Sequence, residues 1–102
     1  MAERLDPKDR TRQLLDAALA LAARDGWANL TRDGIAVAAG VSFALVTQRL
    51  GTMDQIRRSV MRLAVQRRVV AVVAEGLARK DKHAARADEA LRAECAAWVA
   101  AV

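Results

Sequence analysis

The sequence predicts an all-helical fold, and three observations carry that prediction. Apolar residues make up 54% of the 102 positions, most of them Ala, Leu and Val, with one Pro and no Tyr; such a chain is rich in good helix formers and poor in breakers. Apolar residues recur three and four apart, as at Leu14, Ala18, Leu21 and Ala22. Helix-start residues (Asp6, Thr31, Ser42, Thr52) alternate with glycine stops (Gly26, Gly40, Gly51).

Asp6 caps the first helix, with Pro7 at its first position and Asp9 adding negative charge to the first turn. Gly26 ends it, and Trp27 and Leu30 in the connection plug the core from the side. Thr31 caps a short second helix, Arg32 to Ala39, with Ile35 and Ala36 inward. Gly40 makes the turn. Ser42 caps a third helix, Phe43 to Leu50, with Val46 and Leu50 as its buried stripe, and Gly51 stops it. Thr52 and Gln55 form a capping box that opens a long fourth helix, Met53 to about Lys80. Its first half is amphipathic (Ile56, Val60, Leu63). Its second half, Val69 to Ala74, is apolar nearly all round and needs cover on every side; Gly76 is a place where it bends or weakens. Asp81-Lys82-His83 reads as an exposed polar connection. A fifth helix, Ala84 to about Ala100, presents Ala87, Leu91, Cys95, Trp98 and Val102 on one face.

A length of 102 residues fits one modest core. The single cysteine, Cys95, excludes an internal disulfide and reads as a small buried hydrophobe. With one His besides, no structural zinc site assembles. The longest uncharged run, Gly34 to Gln48, is too short to span a bilayer, and the charged N-terminus is not a signal peptide. A soluble cytoplasmic protein is expected. No Ser/His/Asp set and no paired carboxylates on a shared face are visible, so neither an enzyme nor a cofactor is expected.

The net charge is +5. Residues 26–80 hold nine basic side chains (Arg32, Arg49, Arg57, Arg58, Arg62, Arg67, Arg68, Arg79, Lys80) against three acidic ones (Asp33, Asp54, Glu75), net +6, while residues 1–25 balance to zero and residues 81–102 come to −1. A positive excess in one segment points to a polyanionic partner; a solvated helix face is the plainer reading.

Two short helices joined by a tight Gly turn and set on a longer first helix form a helix-turn-helix, whose second helix enters the DNA major groove. On this reading Ser42, Phe43, Ala44, Thr47 and Gln48 face outward. Ser42 and the third helix's N-terminus suit phosphate oxygens, Gln48 suits adenine and Phe43 a thymine methyl. Phe43, close to Val41, also fits a core position, and Gln48 a plain solvent-facing one. Among Arg57, Arg58 and Arg62, a phosphate contact and simple solubilisation are both open.

Leu14-Leu15-Asp16-Ala17-Ala18-Leu19-Ala20-Leu21, Gly26-Trp27, Thr31-Arg32, Ile35-Ala36 and Ala39-Gly40-Val41-Ser42 together resemble the N-terminal DNA-binding domain of tetracycline-repressor family regulators. The likeness covers about residues 10–56. It implies that Thr31 and Arg32 occupy places that contact phosphate and sometimes a base, and that Ser42, Phe43, Ala44 and Gln48 occupy recognition positions. The chain has Thr47, Arg49 and Met53 where the family usually has Tyr, His and Lys, typically backbone-contacting, and Leu50 at the family's aromatic anchor; Thr47 and Arg49 still donate to phosphate, and Met53 does not.

The expected organisation is a three-helix helix-turn-helix DNA-binding domain over residues 1–52, followed by two helices over 53–102 that form a dimerisation bundle. Val69, Val70, Val72, Val73, Leu77, Leu91 and Trp98 are its expected contacts, because one stripe on the last helix cannot enclose the valine segment. The function expected is a DNA-binding transcriptional regulator, a repressor acting as a homodimer on an inverted repeat of double-stranded DNA, without a small-molecule effector and without a membrane. A phage or plasmid DNA-handling protein and a protein-interaction module on the same scaffold are the alternatives.

Overall fold

The computed structural model describes residues 6–101, and their regular elements are all helical. Six α-helices follow in order: α1 (Pro7–Asp25), α2 (Arg32–Ala39), α3 (Phe43–Leu50), α4 (Met53–Arg67), α5 (Val70–Ala78) and α6 (Glu89–Ala101). Single 3-10 turns, Trp27–Asn29 and Ala84–Arg86, lie ahead of α2 and α6. No helix of the described residues is long and apolar enough to cross a membrane. Val102, expected on the last helix's stripe, lies outside the described residues.

The first half folds as its punctuation dictates. Asp6 Oδ1 accepts the Asp9 N–H at 2.9 Å, Thr31 Oγ1 that of Gly34 at 3.0 Å, and Ser42 Oγ that of Leu45 at 3.1 Å. Each bond satisfies one of the donors that a helix start leaves without a partner. Thr52 and Gln55 exchange bonds reciprocally at the start of α4, at 2.9 and 3.2 Å. Gly40 adopts a left-handed φ of 69°, which lets the Val41 N–H reach the Ala36 carbonyl at 3.0 Å and closes α2.

α1 packs against α2, α3, α4 and α5, and α5 against α6. Leu14, Ile35, Val46, Ile56, Val60, Met61, Val72 and Val73 are fully buried. The core is one connected cluster from Ala18 to Cys95, and it crosses residue 52 without interruption.

The second half departs from expectation. The single helix expected from Met53 to Lys80 is two, α4 and α5, broken at Arg68. Arg68 takes φ 57° and ψ 46°, and the Val69 N–H reaches back to the Ala64 carbonyl at 2.9 Å. This is a Schellman-type end with arginine in the place that glycine usually fills, at a cost of roughly 1–2 kcal/mol. What offsets that strain is the return of α5 across α1 and α4, which encloses Val72 and Val73. Lys80 ends α5 the same way, with φ 59° and the Asp81 N–H on the Gly76 carbonyl at 2.8 Å. The expected fifth helix from Ala84 is likewise divided. Asp81 Oδ2 accepts the N–H groups of His83 and Ala84, each at 3.0 Å, and Asp88 Oδ1 accepts that of Leu91 at 2.7 Å. Two aspartates thus compete with helix propagation, and the second caps α6.

This hairpin also changes which apolar residues are free. Val72, Val73 and Leu91 are enclosed within one chain, at 0, 0 and 1% exposure, so no second copy is needed to cover them. Val69, Val70 and Leu77 are partly buried against the same core. Trp98, expected at the contact between two copies, is 45% exposed in the single chain, beside Val99 at 56%.

Gly76 is not a bend. A Cβ there would lie 2.7 Å from Ala84 Cβ and against the Met61 methyl group, so the glycine lets α5 approach both α4 and the turn before α6. The halves are also tied by polar bonds. Glu75 Oε1 accepts the Trp27 N–H at 2.7 Å and Oε2 the Ala28 N–H at 2.8 Å, while the Trp27 indole N–H donates to the Arg57 carbonyl at 3.0 Å.

Two stability outcomes follow from these contacts. Gly76→Ala should destabilise by about 1–3 kcal/mol despite alanine's better helix propensity, because Ala84 cannot move aside as the Met61 tip can. Glu75→Ala should cost roughly 2–3 kcal/mol, since two part-buried N–H groups lose a charged acceptor, and Glu75→Gln less. Urea denaturation followed by circular dichroism measures both; a Gly76→Ala protein as stable as the parent would contradict the first.

Candidate functional site

α2 and α3 are each eight residues long and meet through Gly40, Val41 and Ser42. Val46 and the partly buried Leu50 seat α3 on the core. That anchorage fixes which face is left over: Phe43, Ala44 and Gln48 are exposed, as is Ser42 at the helix start.

The structure brings the starts of the two helices together. The Arg32 guanidinium stands over the Phe43 ring, 5.3 Å from its centroid, a cation–π geometry. Phe43 is 47% exposed, which removes the core reading. Thr31 and Ser42 each use a hydroxyl lone pair for capping, and each hydroxyl keeps its own hydrogen to donate outward. Thr31, Arg32, Ser42, Phe43 and Ala44 therefore lie at the two helix N-termini, and Gln48 continues the exposed face of α3 one turn beyond Ala44. Val37, on the outer face of α2 and 83% exposed, adds an apolar group that sequence reasoning did not single out.

Thr47, expected to face outward, and Arg49, expected to reach phosphate, are less open than Gln48. Both are half-buried, and the Thr47 hydroxyl oxygen and Arg49 Nε are inaccessible with no hydrogen-bond partner among the described residues. Of the polar side chains in the body of α3, Gln48 is the exposed one.

A second cluster of charge lies where α4 meets the connection before α6. Arg57, Arg58, Asp54, Asp81, Lys82, His83 and Trp27 line a surface cavity there. Arg57 pairs with Asp54 at 3.6 Å. His83, expected as an exposed loop residue, is half-buried, and both ring nitrogens lack partners among the described residues. Burial holds it below the ordinary imidazole range, and Arg62, Lys82 and Arg86 push the same way against the raising effect of Asp81. Cys95 is buried, and that burial pushes its thiol up. No group of three or more His, Cys, Asp or Glu among the described residues is placed to hold a metal ion.

No family model, no curated protein and no solved structure matches the chain.

Proposed function

We propose that this chain is a sequence-specific double-stranded-DNA-binding regulator, a repressor that acts as a homodimer on an inverted repeat, with α2 and α3 as its helix-turn-helix. The observation that carries the reading is the exposed face of α3. It offers Phe43, Ala44 and Gln48 beside a capped, electropositive helix start, with Arg32 adjacent. A major groove about 12 Å wide admits one such helix. On this reading Gln48 reads adenine and Phe43 packs on a thymine methyl. Ser42, Thr31 and Arg32 hold phosphates. Arg49 serves only if its half-buried side chain swings outward, and Thr47 supports the helix from below. The likeness to tetracycline-repressor DNA-binding domains rests on the sequence pattern and supports the same reading.

The homodimer now rests on a different face from the valine segment. Trp98 and Val99 stand exposed over a surface built from Ala71, Ala74, Ala78 and Ala96, small residues that admit a second pair of helices closely. Leu77 and Cys95 border it. Pairing α5 and α6 across a two-fold axis would bury both tryptophans in a four-helix bundle and set two α3 helices on neighbouring groove faces. The reading includes no small-molecule effector. Exposed Phe43 favours a second reading, in which the same surface docks a protein.

Selection from random duplexes should yield an inverted repeat whose half-sites lie about 34–36 Å apart or a multiple of that. Gln48→Ala should relax one base position, at a cost of about 1–3 kcal/mol. Arg32→Ala should weaken binding to all sequences and flatten the salt dependence. Retention of a protein partner with no duplex binding would instead support the docking reading. Trp98→Lys should shift sedimentation equilibrium toward monomer at micromolar concentration while the circular dichroism spectrum stays helical. An unchanged association state would remove Trp98 from the interface.

A further inference from the structure

The basic corner between α4 and the α5–α6 connection is not explained by the recognition surface. Arg58, Arg62, Lys82 and Arg86 are all exposed, and none of them makes an ion pair among the described residues. Some arginines elsewhere are matched, Arg67 with Asp16 at 2.7 Å, Arg68 with Asp88 at 3.0 Å and Arg79 with Glu75 at 3.1 Å, while Arg32, Arg49 and Arg92 make no ion pair among the described residues. The two carboxylates at the corner are already engaged. Asp54 holds Arg57, and Asp81 accepts two backbone N–H groups. Arg58 and Arg62 lie four apart on one helix face, a like-charge spacing that weakens an isolated helix. Arg57 and Arg58 from α4 and Lys82 from the connection line one cavity with His83, so charges from two separate chain segments meet there, and Arg62 and Arg86 add to the field that lowers the imidazole.

We propose that this corner is a second phosphate-binding surface, which takes the DNA backbone flanking the segment that α3 reads and so lengthens the site beyond the recognition helix. The inference rests on the DNA-binding reading above. Its geometry comes from α4, which starts directly after α3. At 1.5 Å per residue, Arg58 and Arg62 stand about 7.5 and 13.5 Å along the axis from Met53. Along the α4 axis, then, Arg58 lies within about one groove width, some 12 Å, of the start of α4, and Arg62 just beyond it. A free anion is a poorer occupant, because Asp54 and Asp81 line the same cavity and repel it. A backbone already fastened at α3 is held against that repulsion, and four cations arrayed along two segments suit a strand of phosphates. His83 then becomes a reporter. An anion beside it favours the protonated ring, so its titration should move upward when DNA binds, against the holding effect of burial and of Arg62, Lys82 and Arg86.

The test compares two duplexes that carry the selected repeat, one with flanks of several base pairs and one trimmed to the bases α3 reads. The parent protein should bind the flanked duplex at least about tenfold more tightly at 0.15 M salt. In the Arg62→Ala/Lys82→Ala/Arg86→Ala protein that preference should vanish, and the salt slope on the flanked duplex should fall by about 2–3, at roughly 0.9 per lost phosphate contact. The selected sequence should not change. Because His83 is the chain's one histidine, its imidazole proton resonances can be titrated without assignment, and they should shift upward with the flanked duplex and not with the trimmed one. Lys82→Glu, a single change in the connection, should show the same loss if the triple variant folds poorly. Equal affinity for both duplexes, or an unmoved His83 titration, would overturn the corner while leaving the α3 reading intact. Loss of binding in the corner variants with no effect of Gln48→Ala would keep the corner and overturn α3 as the reader. A parent protein that binds no duplex at all would overturn both.

Discussion

The Glu75 carboxylate holds the fold's main junction. It reaches from α5 to the backbone N–H groups of Trp27 and Ala28, where the chain turns from α1 toward α2. Those two donors have few other choices, since a 3-10 turn at a helix end leaves its first N–H groups without intrahelical acceptors. With the turn held in place, the Trp27 indole reaches the Arg57 carbonyl on α4, and three elements meet on one side chain. The direction in which α2 leaves, and with it α3, depends on this point. So does the basic corner, because Trp27 lines its cavity beside Arg57 and Arg58.

Close approach does the rest. Gly76 brings α5 against Met61 and Ala84, and the left-handed Arg68 and Lys80 fold the hairpin that makes this approach possible. Arg68 then spans to Asp88 and Glu94, bonds that are worth little at an exposed site. They are better seen as a guide for where α6 starts than as a source of stability. The larger return comes from Val72 and Val73, which the hairpin encloses completely, at about 1.5–3 kcal/mol for each large apolar side chain buried.

The first half of the fold was legible because its stops are glycines and its starts are Asp, Thr and Ser, residues whose local chemistry dictates a boundary. The break at Arg68 was not legible, because nothing in arginine announces a left-handed backbone; the hairpin imposes it through tertiary packing. Asp88 could have been found, since an aspartate directly before Glu89, Ala90 and Leu91 is a capping signal, but the surrounding alanines masked it. At the candidate site, Gln48 was placed on the open face and Phe43 was left between the open face and the core. How deeply Thr47 and Arg49 sit was not legible, because the burial of the flanking positions of an eight-residue helix is set by its neighbours and not by its own pattern. The corner was illegible because Arg58 and Arg62 are some twenty residues from Lys82 and Arg86, and only the return of α5 brings them together.

The continuous core bears on how the proposed regulator would work. The packing between α1, α4 and α5 crosses residue 52, where the proposed regulator would change role. A helix pair clamped by another copy at Trp98 could not rotate without dragging Glu75, and Glu75 cannot move without releasing Trp27. In a structure joined this way, whatever fixes the spacing of two α5–α6 pairs also fixes the spacing of two α3 helices. Well-packed interiors transmit displacement because they resist compression. The distance between half-sites would then be set in the C-terminal helices, away from the residues proposed to read bases.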